Sequence, residues 1–165
     1  MNTLSESSMP LDNEQKEIVR WYVHRAYHNC RQAVILFNTF NNVESIISSF
    51  EAIEFSVKAM CKLFDIAYEP KHFGEDTAKT ISSLAQKIGK NNAYSKDKIL
   101  QTMPIVMSYS DYLRIISRYG IEREGSPKVA PPRIFSRVYA NSVLEDAKSL
   151  CDILRRMELR IRWGL

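Results

Sequence analysis

Apolar residues recur along this chain at steps of three and four, the period that lines one face of an α-helix. The first series, Ile18, Trp21, Tyr22, Arg25, Ala26, Cys30, Ala33, Val34 and Phe37, predicts a helix over 13–39. Asn41 and Glu44 then have capping-box spacing, with Asn in place of the usual Ser or Thr, ahead of a second series. That series, Val43, Ile46, Ile47, Phe50, Ile53, Val57, Met60, Cys61 and Phe64, predicts a helix ending near Ile66, before Pro70. Ile81, Leu84, Ala85 and Ile88 mark a shorter helix over 75–88, closed by Gly89.

A fourth helix is expected from Ser95 as its cap, with Ile99, Val106, Tyr109, Tyr112, Leu113, Ile116 and Tyr119 on its face. Pro104 inside it predicts a kink or break near Thr102, and Gly120 ends it. Residues 120–133 are too rich in Gly and Pro for a helix and make a long loop, a place where function often resides. Val138, Tyr139, Val143, Ala147, Leu150, Leu154, Met157 and Ile161 pattern a last helix over 134–162. The connections between most of these elements are short, so the expected fold is all-α, an antiparallel helical bundle of about five helices. Residues 1–12, polar and Ser-rich, read as a mobile tail before a single domain over 13–165.

Composition supports this reading and limits the chemistry. The 165 residues suffice for a core without disulfides or metals, and 45% hydrophobic with 25% charged is the balance of a soluble globular chain. Five Gly and six Pro are few for the many turns of an all-β protein. The net charge of +4 is compatible with nucleic acid without requiring it. Cys30, Cys61 and Cys151 are odd in number and widely spaced, which suggests neither a disulfide framework nor a zinc site and fits a reducing cytoplasm. The N-terminus lacks a signal-peptide pattern, and no run approaches the roughly 18 apolar residues of a membrane span. No Gly-rich phosphate loop or Gly-x-Ser-x-Gly elbow is present, and no cofactor is expected.

One residue breaks the apolar pattern. At 100° per residue Glu54 falls inside the stripe of the second helix, between Phe50, Val57 and Cys61, so a carboxylate points toward the core and needs a partner.

The run from Glu51 to Phe64, with Glu54-Phe55-Ser56-Val57-Lys58-Ala59 at its centre, is followed by Pro70-Lys71-His72. Further on come Tyr112 to Gly120, including Arg118-Tyr119-Gly120, then Glu122 and Pro131-Pro132. In order and spacing these segments resemble the HEPN domain family over roughly residues 15–157, and best the prokaryotic subgroup often encoded beside a minimal nucleotidyltransferase. The resemblance implies a helical bundle, commonly a homodimer, built for contact with nucleotides or nucleic acid. Many members are metal-independent ribonucleases or toxins whose signature is an Arg followed shortly by His. The matching Arg is Arg118, but the positions where the His would fall carry Arg123, Glu124 and Gly125. The residue expected to assist attack by the 2′-hydroxyl is therefore absent.

The family architecture would set Arg118 across from Glu54, as a pair lining a polar cleft with Lys58 and Tyr119 beside it. The alternative is an ion pair that only fixes helix register. Arg123, Lys128 and Arg133 in the 120–133 loop suit a flap that contacts phosphate, or else a solvated connector. Arg155, Arg156, Arg160 and Arg162 could grip nucleic acid, although cations at a helix C-terminus are favoured by the dipole alone. His24 and His28 share a helix face but lack a third ligand, so no metal is expected. Trp21, Tyr22, Phe37, Phe50 and Phe64 at helical spacing read as core.

The function these observations favour is a non-catalytic or weakly catalytic HEPN-like protein of a toxin–antitoxin or defence-type system. It would dimerise and bind RNA, a nucleotide or a nucleotidyltransferase partner. The rivals are a metal-independent ribonuclease that uses Arg118 and Glu54 without His, and a helical adaptor for protein assembly.

Overall fold

The computed structural model describes residues 11–68, 76–90, 92–108, 120, 124–125 and 128–163. They form an all-α bundle: α1 (Asn13–Asn38), α2 (Asn42–Leu63), α3 (Thr77–Gly89), α4 (Ala93–Ser108), the single turn α5 (Pro131–Ile134) and α6 (Arg137–Trp163). There is no strand among the described residues.

α2 is the central helix, packing mainly against α1 and α6, with α3 and α4 paired beside it. Its sequence explains this position. Ile46, Phe50, Ile53, Val57 and Met60 form a large apolar stripe, while Ser45, Ser49, Ala52, Ser56 and Ala59 form a second stripe of small residues, and all of these are buried. A helix buried on more than one side must be apolar or small over most of its circumference, and α2 is. Ser45 Oγ donates to the Ala33 carbonyl of α1 at 2.9 Å, which places the start of the small stripe against α1. Around α2 the core is completed by Val19, Val23 and Ala26 of α1, Ile81 and Leu84 of α3, Ile99 of α4, and Val143, Leu150 and Leu154 of α6.

The small stripe makes a test of hydrogen-bond energetics. Ser49 is as deeply buried as Ser45, yet its Oγ has no hydrogen-bond partner among the described residues. Ser45→Ala should cost about 1 kcal/mol by orphaning a satisfied contact, whereas Ser49→Ala should gain about 0.5–1 kcal/mol by removing an unpaired hydroxyl and raising helix propensity. Urea unfolding of the two variants should move in opposite directions; shifts of the same sign would refute the assignment.

The helix ends depart from the sequence expectation in several places. α1 starts with a capping box: Asp12 Oδ1 accepts from the Gln15 amide at 2.7 Å, and Gln15 Oε1 accepts from the Asp12 amide at 3.2 Å. Leu11 packs against the core just before it. Asn41 makes no side-chain cap at α2, and its Nδ2 donates instead to Thr39 Oγ1 at 3.2 Å. α2 ends at Leu63 rather than Ile66, where Asp65 takes a positive φ of 52°. Gly89 is the last residue of α3 and not the turn beyond it.

α4 begins at Ala93, before Ser95, because Asn92 Oδ1 is the acceptor for the Ser95 amide at 3.0 Å. It runs through Pro104 to Ser108 instead of breaking near Thr102, with Thr102 Oγ1 donating to the Ile99 carbonyl at 2.7 Å. The remainder expected for this helix, 109–119, lies outside the described residues. The last helix, expected from 134, starts three residues later and is preceded by a separate turn. Pro131 opens that turn, and Ser136 Oγ accepts from the Tyr139 amide at 3.1 Å to start α6 at Arg137. Val138, placed on the apolar stripe by spacing, is 82% exposed.

Arg137 ties the α1–α2 turn to α6. Its guanidinium lies 3.9 Å from the Phe37 ring centroid and 4.4 Å from that of Phe40. Its Nη1 donates to the Phe37 carbonyl at 2.9 Å, where the end of a helix leaves carbonyls without intrahelical partners. Phe40 itself adopts φ 63°, a conformation that costs a non-glycine residue about 1–2 kcal/mol. The cation–π contact and the tight connection between α1 and α2 offset that cost.

Candidate functional site

Two sets of side chains stand out against the apolar bundle. The first is Glu54 with Lys58, one turn apart on α2. Lys58 Nζ donates to Glu54 Oε1 at 2.6 Å, with Lys58 only 2% and Glu54 7% exposed. The carboxylate that the sequence placed on the core stripe is thus buried, and its spacing to Lys58 puts both groups on the same helix face with the acid N-terminal, the favourable order. A charge taken out of water needs such a partner, since an unpaired carboxylate in the interior is strongly disfavoured.

Of the remaining sequence candidates, Arg118, Tyr119 and Arg123 lie outside the described residues, as does the Arg133 side chain. The expected contact of Arg118 with Glu54 falls with them. Lys128 is exposed in the segment before α5, as are Arg155 and Arg156 on α6. His24 and His28 are exposed on α1, and no group of three metal-ligating side chains occurs among the described residues. No helix among them is long and apolar enough to cross a membrane.

The second set is built around Trp21, which was read as core from the sequence and is not. Trp21 is 55% exposed. Consecutive residues on a helix point 100° apart, and the structure turns Tyr22 toward the core and Trp21 toward solvent. Around them an aromatic cluster assembles from α1, α2 and the segment after α2. Trp21 meets Tyr22 edge-on at 5.2 Å and Phe55 at 5.6 Å between centroids, while Tyr22 packs edge-on against Tyr68 at 6.0 Å. Tyr68 Oη donates to Tyr22 Oη at 3.2 Å. Burial, and then this hydrogen bond, hold the Tyr68 phenol well above its ordinary pKa, so it remains a neutral donor.

Arg25, one turn after Trp21, completes the cluster. Its guanidinium carbon lies 5.3 Å from the Phe55 centroid and 5.9 Å from that of Trp21, within the range of cation–π attraction. Its Nε is sequestered from solvent and has no hydrogen-bond acceptor among the described residues. The same side of α1 exposes Arg20, His24, His28 and Arg31, at steps of four and three residues that keep them in one row next to Trp21. The outer face of α1 therefore sets Arg20 and Arg31, with two imidazoles and Glu17, around one open aromatic ring, a combination that can meet a flat ligand carrying phosphate.

The sequence signal that could have found this face was present in the mixed row Arg20-Trp21, His24-Arg25, His28 and Arg31. It was hidden because a tryptophan at helical spacing is ordinarily counted as core.

Comparisons with known proteins add no relative: no family model, no curated protein and no solved structure matches the chain.

Proposed function

We propose that this chain is a helical binding module of the HEPN type that takes single-stranded RNA or a nucleotide on the outer face of α1. The observation that carries the reading is the exposed Trp21 ring beside Arg25, with Arg20 and Arg31 exposed on the same helix. An open ring stacks on bases of any sequence, and the arginines meet the phosphates, so affinity should be general and sensitive to salt. The absence of a His at positions 123–125, after Arg118, favours binding over hydrolysis.

The test is fluorescence anisotropy of a labelled single-stranded RNA at several salt concentrations. With Arg20, Arg25 and Arg31 as phosphate contacts, log affinity should fall with log salt with a slope of about −2. Trp21→Ala should weaken binding about tenfold, since one base stack is worth about 1–3 kcal/mol, and should lower stability by about 1 kcal/mol through its lost ring contacts with Tyr22 and Phe55. Binding indifferent to both salt and Trp21 would dismiss the proposal. Cleavage of the RNA that disappears in Arg118→Ala would replace it with the ribonuclease reading.

A further inference from the structure

The bundle brings together two cysteines from distant parts of the chain. Cys30 lies in the middle of α1 and is half-buried, whereas Cys151 is buried in α6. The Cys151 thiol donates to the Ala26 carbonyl at 3.7 Å. In an α-helix that carbonyl also accepts the amide of residue 30, so Cys151 Sγ rests against the turn of α1 that carries Cys30. Ser56 Oγ of α2 lies 3.6 Å from Cys151 Sγ, so three helices meet around this sulfur.

We propose that Cys30 and Cys151 form a peroxide-sensitive dithiol, in which Cys30 is oxidised first and Cys151 resolves it to an intramolecular disulfide joining α1 to α6. Exposure sets the order, because Cys30 is the member of the pair that solvent can reach. Charge supports it. The neighbouring Cys151 thiol, with Lys148 nearby, holds the Cys30 thiol below its ordinary pKa against the opposing effects of burial, Asp152 and Glu145. The Cys151 thiol is pushed up by the neighbouring Cys30 and by burial, and so remains the protonated partner. Cys61, deep in α2, is raised to about 12 by burial and stays out of the chemistry.

The steps balance. The Cys30 thiolate attacks one oxygen of hydrogen peroxide, the O–O bond breaks, and the departing hydroxide takes up the thiol proton to leave as water. Cys30 is now a sulfenic acid. Cys151 loses its proton and attacks the Cys30 sulfur, the S–O bond breaks, and the hydroxide leaves with that proton as a second water. Two thiols have lost two electrons to one peroxide. This proposal is independent of the RNA-binding face and could hold if that face binds nothing.

The experiment treats the protein with a small excess of hydrogen peroxide, quenches it, counts free thiols in denaturant and maps the tryptic peptides. The three thiols of the reduced chain should fall to one, with the Cys30 and Cys151 peptides recovered as one cross-linked species that dithiothreitol separates. Cys61→Ser should leave the cross-link intact, and Cys151→Ser should leave a sulfenic acid at Cys30 that dimedone traps. Three thiols retained, a Cys30–Cys30 link between two chains, or over-oxidised Cys30 beside a free Cys151 would each overturn the proposal. The map is made on the unaltered protein, so a variant that misfolds does not shelter it.

Discussion

Lys58→Met should lower stability by about 3–5 kcal/mol, the usual result of stripping one partner from a buried ion pair. The ammonium is 2% exposed and 2.6 Å from Glu54 Oε1, so the substitution removes the carboxylate's near donor without admitting water to replace it. Glu54→Leu should cost a similar amount for the converse reason. The double variant Glu54→Leu/Lys58→Met should recover most of the loss, because two apolar side chains in this environment carry no desolvation penalty. Urea unfolding of the four proteins gives the coupling directly. A cost below about 1 kcal/mol for Lys58→Met would mean that the pair is solvated and energetically like a surface bridge.

The double variant also separates the two readings of Glu54. If it is stable and still binds RNA, the pair only fixes the packing of α2. If it is stable and RNA binding is lost, the pair belongs to a ligand site reached from a direction other than the face of α1.

Much of the bundle was legible in the sequence because the three- and four-residue periods of α1, α2 and α6 are long, and a stripe repeated over several turns leaves one helix phase. Glu54 was legible for the same reason: a carboxylate within an unbroken stripe has to point inward. The donor found beside it is Lys58, which i, i+4 spacing places there without any tertiary knowledge. The errors arose where several residues satisfy one rule. Asn92 and Ser95 are both good caps, and only the path of the chain selects Asn92. Trp21 and Tyr22 both suit a core, but one helix cannot bury two adjacent large rings on a single narrow face. Val138 fits the apolar period of α6, yet it lies in the first turn, beyond the reach of the core that Ala140 and Val143 enter. The meeting of Cys30 with Cys151 depends on the packing of α1 against α6, which no spacing within the chain encodes.

Gly120→Ala is the second substitution expected to have a large effect, and its effect should be local. Gly120 adopts φ 75°, and a Cβ there would collide with the Val129 carbonyl oxygen and stand 3.3 Å from Pro131 Cδ. Gly120 thus lies backbone to backbone against Val129. An alanine would meet both the left-handed strain of about 1–2 kcal/mol and an obstacle that cannot rotate away, for a total of about 2–4 kcal/mol. Gly125 supplies the control. It has nearly the same φ, 74°, but a Cβ there meets nothing within 4 Å. Gly125→Ala should therefore cost only about 1–2 kcal/mol, and Gly125→Asn less, since Asn tolerates this conformation. Amide exchange should report the difference where it arises, with the Val129 region losing protection in Gly120→Ala and keeping it in both Gly125 variants. Equal destabilisation by the two alanines would show that the approach of Gly120 to Val129 is not held in solution.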